Sequence, residues 1–180
     1  MYYRKLCGND IFLSPIDLEN EYRILTQWVN EDDSIKNGNG FFAKILDENK
    51  TKELLTTWNE GPCMFSIVTN DNEFVGHINL FNFHQTNYAT LGIYIGPYYR
   101  NLGYCSQAMH LLLDYAFNQL NLHSIHLDVY AFNQDALRLY QSMGFTICGN
   151  YTDAIYHNGK YWSIILMELL KKDYLKERKD

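Results

Sequence analysis

Residues 92–106 read Gly-Ile-Tyr-Ile-Gly-Pro-Tyr-Tyr-Arg-Asn-Leu-Gly-Tyr-Cys-Ser. An apolar, β-prone run ends in a Gly-Pro turn, a loop with Gly103 follows, and a helical pattern begins at once. That order builds an anion site. The first N–H groups of a helix have no intrahelical partner, and the helix dipole favours negative charge there. Gly103 and the small Cys105 let a diphosphate approach the main chain, and Arg100 adds a cation at the rim. The same pattern also serves strand–helix connections that bind nothing.

A second group lies downstream. Asn133, Ala136 and Tyr140 are spaced three and then four apart, which puts Ala136 and Tyr140 on one face of a helix. Asn133 stands where an N-cap belongs. Tyr140 carries a phenol whose ordinary pKa, near 10, suits a proton donor; a core tyrosine with its hydroxyl satisfied has the same signature. Cys105 invites a nucleophile reading because helix N-termini lower thiol pKa values, but Tyr104 and Ser106 beside it offer no base. His123 and His126, at the entry to a strand, face opposite sides, and no Cys pair or acidic cluster joins them, so no metal site is expected.

The elements that must position these residues follow from periodicity. Residues 10–13 read as a short strand, and helical spacing of Leu18, Tyr22, Leu25, Trp28 and Val29 predicts a helix over 17–29. Residues 30–40 are polar and Gly/Asn-rich, a loop, and a second helix is expected over 47–58, stopped by Gly61-Pro62. Strands follow over 64–69, 74–81 and 88–95, then the opening loop and a helix over 104–120. A strand over 125–130, a short helix over 135–143 closed by Gly144, and strands over 145–148 and 161–169 complete the chain. The order gives one α/β (α+β) domain with a mixed sheet.

Bulk composition fits that reading. The 180 residues are 47% hydrophobic and 20% charged, enough for one core. The net charge of −6 argues against a broad nucleic-acid surface. Acidic residues crowd positions 16–60, where a pocket they ringed would attract cations. The cysteines, Cys7, Cys63, Cys105 and Cys148, are scattered, which suits a reducing cytoplasmic setting. No apolar run has the length of a signal peptide core or a membrane span.

Three stretches resemble one family. Arg100-Asn-Leu-Gly103-Tyr-Cys105 is similar to the acyl-CoA loop of GNAT-superfamily N-acetyltransferases, with Cys105 in place of the usual Gly or Ala. Asn133-Gln-Asp-Ala136-Leu-Arg-Leu-Tyr140-Gln-Ser-Met-Gly144-Phe145 resembles a second motif of that family. Tyr156-His-Asn-Gly159-Lys-Tyr161 resembles the hairpin before its last strand. The likeness is to the ribosomal-protein-alanine and spermidine acetyltransferase branch, covers about residues 74–170, and is thinnest over residues 1–62.

The resemblance implies a GNAT fold: a mostly antiparallel mixed sheet flanked by helices, with two strands splayed into an acyl-CoA cleft. The domain would run from 1 to 180, with acceptor-side helices in 1–62, the sheet and cofactor core in 63–170, and a charged tail in 171–180. It implies acetyl-CoA as cosubstrate and direct attack by a primary amine, from a small amine, a polyamine or a protein N-terminus. Asn101, Leu102, Gly103, Tyr104, Cys105 and Ser106, with Arg100, would hold the pyrophosphate. The backbone of Ile93, Tyr94 and Ile95 would bind the pantetheine arm as an added strand. Asn133 would bond the same arm, Ala136 would leave room for the thiol, and Tyr140 would be the general acid. Thr90 stands where many relatives carry a basic Glu, so the proton would drain to Glu21, Glu31, His77 or His84. Thr90 also leaves open a non-catalytic module that binds acyl-CoA or an amine. The loop pattern does not distinguish acetyl from a longer acyl chain, and homo-oligomer formation is left open.

Overall fold

The computed structural model describes residues 1–31, 46–85 and 87–177. Among them one sheet of eight strands runs in the order β1-β2-β3-β4-β5-β6-β8-β7. The strands are β1 (Leu6–Cys7), β2 (Ile11–Ser14), β3 (Met64–Thr69), β4 (Phe74–His84), β5 (Tyr88–Ile95), β6 (Ser124–Tyr130), β7 (Thr146–His157) and β8 (Lys160–Leu170). Every neighbouring pair is antiparallel except β5 and β6, which run parallel. The helices are α1 (Leu18–Glu31), α2 (Glu48–Asn59), α3 (Tyr104–Asp114), α4 (Gln134–Ser142) and α5 (Lys171–Glu177).

The sheet has two differently covered faces. Leu91, Ile93 and Ile95 of β5 pack with Ala108, Met109 and Leu112 of α3 and with side chains of α4 in the larger core. The alternate residue, Tyr94, joins a smaller core with Leu25, Trp28 and Val29 of α1, Leu55 of α2 and Phe74 of β4. This is period-two alternation with helices on both sides. The register puts Gly96 under α1: a Cβ there would meet the Trp28 ring at 2.6 Å.

The predicted elements stand, with instructive differences at their ends. Residues 30 and 31 extend α1, while most of the expected 30–40 loop lies outside the described residues. Asp47 is the N-cap of α2, its side chain accepting from the backbone N–H of Lys50 at 2.8 Å. The helix predicted over 104–120 changes character after Asp114, with a wider π turn over Tyr115–Gln119. Gly144, at φ 88°, ends α4 as expected. The strand expected over 145–148 is corrected most: β7 runs to His157. Its residues are largely exposed on both faces, so no apolar alternation marks it, and register shifts between Ile147 and Gly149 and between Tyr151 and Ile155 break what pattern there is.

Candidate active site

The site begins where β5 leaves β6. Register pairs join Tyr88 to Ser124, Ala89 to Ile125 and Thr90 to His126, and then the ladder ends. Leu91–Ile95 stay paired to β4, and Leu127–Tyr130 stay paired to β8. The expected splayed strands are therefore Leu91–Ile95 and Leu127–Tyr130, and the wedge between them is open at its C-terminal end.

At that end stands the anion-type loop. Pro97–Tyr99 make one 3₁₀ turn, Asn101 has φ 61°, and Gly103 has φ 81° as N-cap of α3. The first N–H groups of α3, just past this N-cap, have no intrahelical partners, which is where an anion binds at a helix start. A Cβ on Gly103 would meet nothing within 4 Å, so the space over the helix start is clear. The Ser106 hydroxyl donates to the Gly103 carbonyl at 3.0 Å, and Arg100 Nε donates to the Ile95 carbonyl at 3.1 Å, tying the loop to the end of β5.

A cavity of about 430 Å³ lies here. Its walls are Ile93 and Ile95 from β5, Arg100, Asn101, Gly103, Tyr104, Cys105 and Ser106 from the loop, and Asn133, Ala136 and Tyr140 from α4 and its cap. The structure thus brings together nearly all the residues singled out in the sequence. Leu102 differs: it is exposed and does not line the cavity. Tyr94 also differs, since its side chain is buried against Trp28 on the opposite face and only its backbone borders the wedge. Arg100 lies over that ring, 5.9 Å from its centroid.

Asn133 is the N-cap of α4. Its side-chain oxygen accepts from the Ala136 N–H at 3.2 Å, which leaves the amide NH₂ as a donor for other work. Burial pushes the Tyr140 phenol above its ordinary pKa, with the Cys105 sulfur adding to the effect, so the hydroxyl keeps its proton at neutral pH. Cys105 stands in the loop as a small residue, not a nucleophile. Enclosure against the helix start pushes its thiol up to about 12, against the dipole, and leaves it a poor nucleophile.

A smaller cavity of about 150 Å³ shares Ile93, Asn133 and Tyr140 with the first and adds Gly92, Tyr130, Ile164 and Asp128. Asp128 did not enter the sequence-derived site. Its signal was present: Ser124, His126, Asp128 and Tyr130 alternate with Ile125, Leu127 and Val129, a polar row on one face of a strand whose other face is core. Asp128 reaches solvent on one side, yet desolvation by the cavity wall raises its pKa above the usual carboxylate value, opposed by the charge of His126. A carboxylate and a phenol thus border one cavity at the tip of the wedge.

The other expected proton acceptors are elsewhere. His77 and Glu21 are buried together under α1, and neither borders either cavity. Glu31 bonds the Tyr98 hydroxyl at 3.1 Å, and His84 stacks on Tyr88. Among the described residues no group of three His, Cys, Asp or Glu is placed to hold a metal ion. No helix among them is long and apolar enough to cross a membrane.

This pairing of a splayed parallel edge with a helix-capped anion loop has known counterparts. The acetyltransferase (GNAT) domain matches residues 10–146, and the chain belongs to that family. It is 32% identical to the spermidine N(1)-acetyltransferase of Escherichia coli (strain K12) over 114 residues, 63% of this chain and 61% of that protein, less than two thirds of the relative's length. It is 30% identical to the N-acetyltransferase p20 of Bacillus licheniformis over 162 residues, 90% of this chain and 79% of that one. The crystal structure of spermidine N-acetyltransferase from Vibrio cholerae in complex with CoA and spermine superposes with a TM-score of 0.81 at 23% identity, covering 93% of this chain and 99% of that chain. The fold is the GNAT fold that the sequence motifs implied.

Proposed function

We propose that this protein transfers an acetyl group from acetyl-CoA to a primary amine of a small cationic acceptor of the polyamine class, by direct attack. The observation that carries this reading is the wedge itself, with Tyr140 and Asp128 on the walls of one cavity. The names of the E. coli and V. cholerae relatives support the acceptor class.

The loop Arg100–Ser106 and the first turn of α3 hold the pyrophosphate. The open edge of β5 binds the pantetheine arm as an added strand, and the Asn133 amide donates to it. The thioester then lies at the tip of the wedge, between Ile93 and Tyr140. Asp128, with its raised pKa, takes a proton from the acceptor ammonium and frees the amine lone pair. Attack forms the C–N bond, and a backbone N–H of β5 stabilises the oxyanion. Collapse breaks the C–S bond, the Tyr140 O–H protonates the departing thiolate, and the second proton shed by the attacking nitrogen as the amide forms restores the phenol through solvent. A neutral amine is required because an ammonium has no lone pair, so Asp128 fills the role that Thr90 cannot. The cysteines, all free thiols and scattered over the fold, suit a reducing cytoplasmic setting.

Release of CoA thiol from acetyl-CoA, measured with spermidine, aminoglycosides, amino acids and short peptides as acceptors, tests this. Turnover with spermidine supports it. Turnover only with peptide N-termini moves the acceptor class to proteins. Tight CoA binding without thiol release from any acceptor makes the protein a binding module instead.

A further inference from the structure

The small cavity at the wedge tip leads onto a row of aromatic rings that the transfer chemistry leaves unused. Tyr130 and Ile164 line that cavity beside Asp128, and the row starts from Tyr130. Resting on the reading that the acceptor is a cation of the polyamine class, we infer that Tyr130, Phe132 and Trp162 bind its remote ammonium groups while its reacting nitrogen stands at Asp128.

The rings are continuous and held. Tyr130 lies 5.2 Å from Phe132 between centroids. Phe132 in turn lies 5.4 Å from Trp162, at an interplanar angle of 77°, and 4.7 Å from the His157 ring. All four residues are half-buried, so each is anchored yet keeps surface open to a ligand. Trp162 is fixed further by its Nε1–H, which donates to the His157 carbonyl at 3.2 Å. Rings held in this way lose little freedom when a ligand settles on them.

The row runs in the direction the acceptor needs. β6 and β8 are antiparallel, with Asp128 opposite Leu166 and Tyr130 opposite Ile164. Leu127 and Val129 of β6, and Ile165 and Met167 of β8, belong to the core under α3. Period-two alternation therefore puts Asp128, Tyr130, Ile164 and Trp162 together on the face that α3 does not cover. Along that face Tyr130 stands roughly 7 Å from Asp128, and Trp162, four residues beyond Leu166, roughly 13 Å. A linear chain carrying three nitrogens extends over a comparable length, and a short monoamine does not.

An aromatic face attracts a cation through its quadrupole, and Trp162 already carries one. Nζ of Lys160 lies 3.7 Å from the Trp162 centroid. Lys160 is exposed, so its ammonium can turn to solvent when a ligand cation arrives. Lys160 is thus an internal competitor for the ring.

The test follows thiol release from acetyl-CoA with two acceptors, spermidine and propylamine. Trp162→Leu is expected to raise KM for spermidine about tenfold and to leave KM for acetyl-CoA within about twofold. Its kcat/KM for propylamine is expected to be low and within about twofold of wild type. An unchanged KM for spermidine, or an equal loss with both amines, overturns the subsite. Lys160→Met removes the competitor and leaves the ring. It is expected to lower KM for spermidine about two- to threefold, and an unchanged or raised value overturns the subsite even where Trp162→Leu does not fold. If no amine releases thiol, acetyl transfer falls, and calorimetric titration of spermidine into the CoA-loaded protein judges the subsite alone. Binding that Trp162→Leu weakens about tenfold supports it. Binding that this variant leaves intact, or no binding by the wild type, overturns it.

Discussion

Oε2 of Glu21 lies 2.8 Å from Nε2 of His77, and neither residue exposes more than 2% of its surface. The other carboxylate oxygen accepts from the Ser66 hydroxyl at 2.6 Å and from the Asp17 backbone N–H at 2.9 Å. One side chain of α1 thus satisfies groups on β3, on β4 and at its own N-terminus. Removing a buried carboxylate leaves its hydrogen-bonding partners unsatisfied, which typically costs about 1–3 kcal/mol for each. Glu21→Ala is expected to lose stability on that scale by denaturant unfolding. Glu21→Gln should lose less, since an amide keeps an acceptor for Ser66 and a donor for His77.

Tyr140→Phe removes only the hydroxyl. We expect kcat to fall at least about tenfold with little change in CoA affinity, read by initial rates and by CoA titration. Unchanged kcat would remove Tyr140 from the chemistry.

Asp128 carries a stability consequence with a definite sign. Its folded-state pKa is raised, so between the ordinary carboxylate value and the raised one the folded protein binds more protons than the unfolded chain. Stability is therefore full below the unfolded pKa and declines as pH rises through the folded one. Asp128→Asn escapes that decline. It is expected to melt slightly higher than wild type at pH 7, to match it near pH 3, and to lose about 10²-fold or more in kcat. A wild-type rate in Asp128→Asn would end its role as base.

Thiol accessibility separates the four cysteines. Cys7 and Cys148 are exposed, while burial raises Cys63 to about 11 and Cys105 to about 12. A disulfide reagent at pH 8 should titrate two thiols quickly in the native protein and all four in denaturant. Fast labelling of Cys105 would contradict its enclosure in the loop.

Gly96→Ala tests the packing of α1 on the sheet. The added Cβ would meet three atoms of the Trp28 ring at 2.6–2.8 Å, and Trp28 is buried and stacked on Phe74 at 5.1 Å. Overpacking of this kind costs about 1–3 kcal/mol. The measurement is the shift in denaturant midpoint.

The legible parts of the chain were those where one physical rule acted alone. β3 and β5 are read correctly to the residue, because each is a compact apolar run bounded by turn signals. Asn133 and Gly103 were legible because a cap and a left-handed turn each demand a residue type. β7 was cut short because an exposed edge strand has no buried face to imprint on its sequence. Asp128 went unseen because its meaning depends on β5 ending its pairing two residues before the facing position, a tertiary fact. Glu21 and His77 are 56 residues apart in sequence, and nothing local announces that they answer each other.

The brief parallel ladder of β5 and β6 divides the sheet mechanically. On one side lie β1 to β5 and on the other β6, β8 and β7, joined within the sheet by only three register pairs at one end. Such a joint resists shear poorly and bends most easily about Thr90 and His126. A strand-like ligand bridging both banks would stiffen the joint. Slowed amide exchange should then appear along Leu91–Ile95 and Leu127–Tyr130 together.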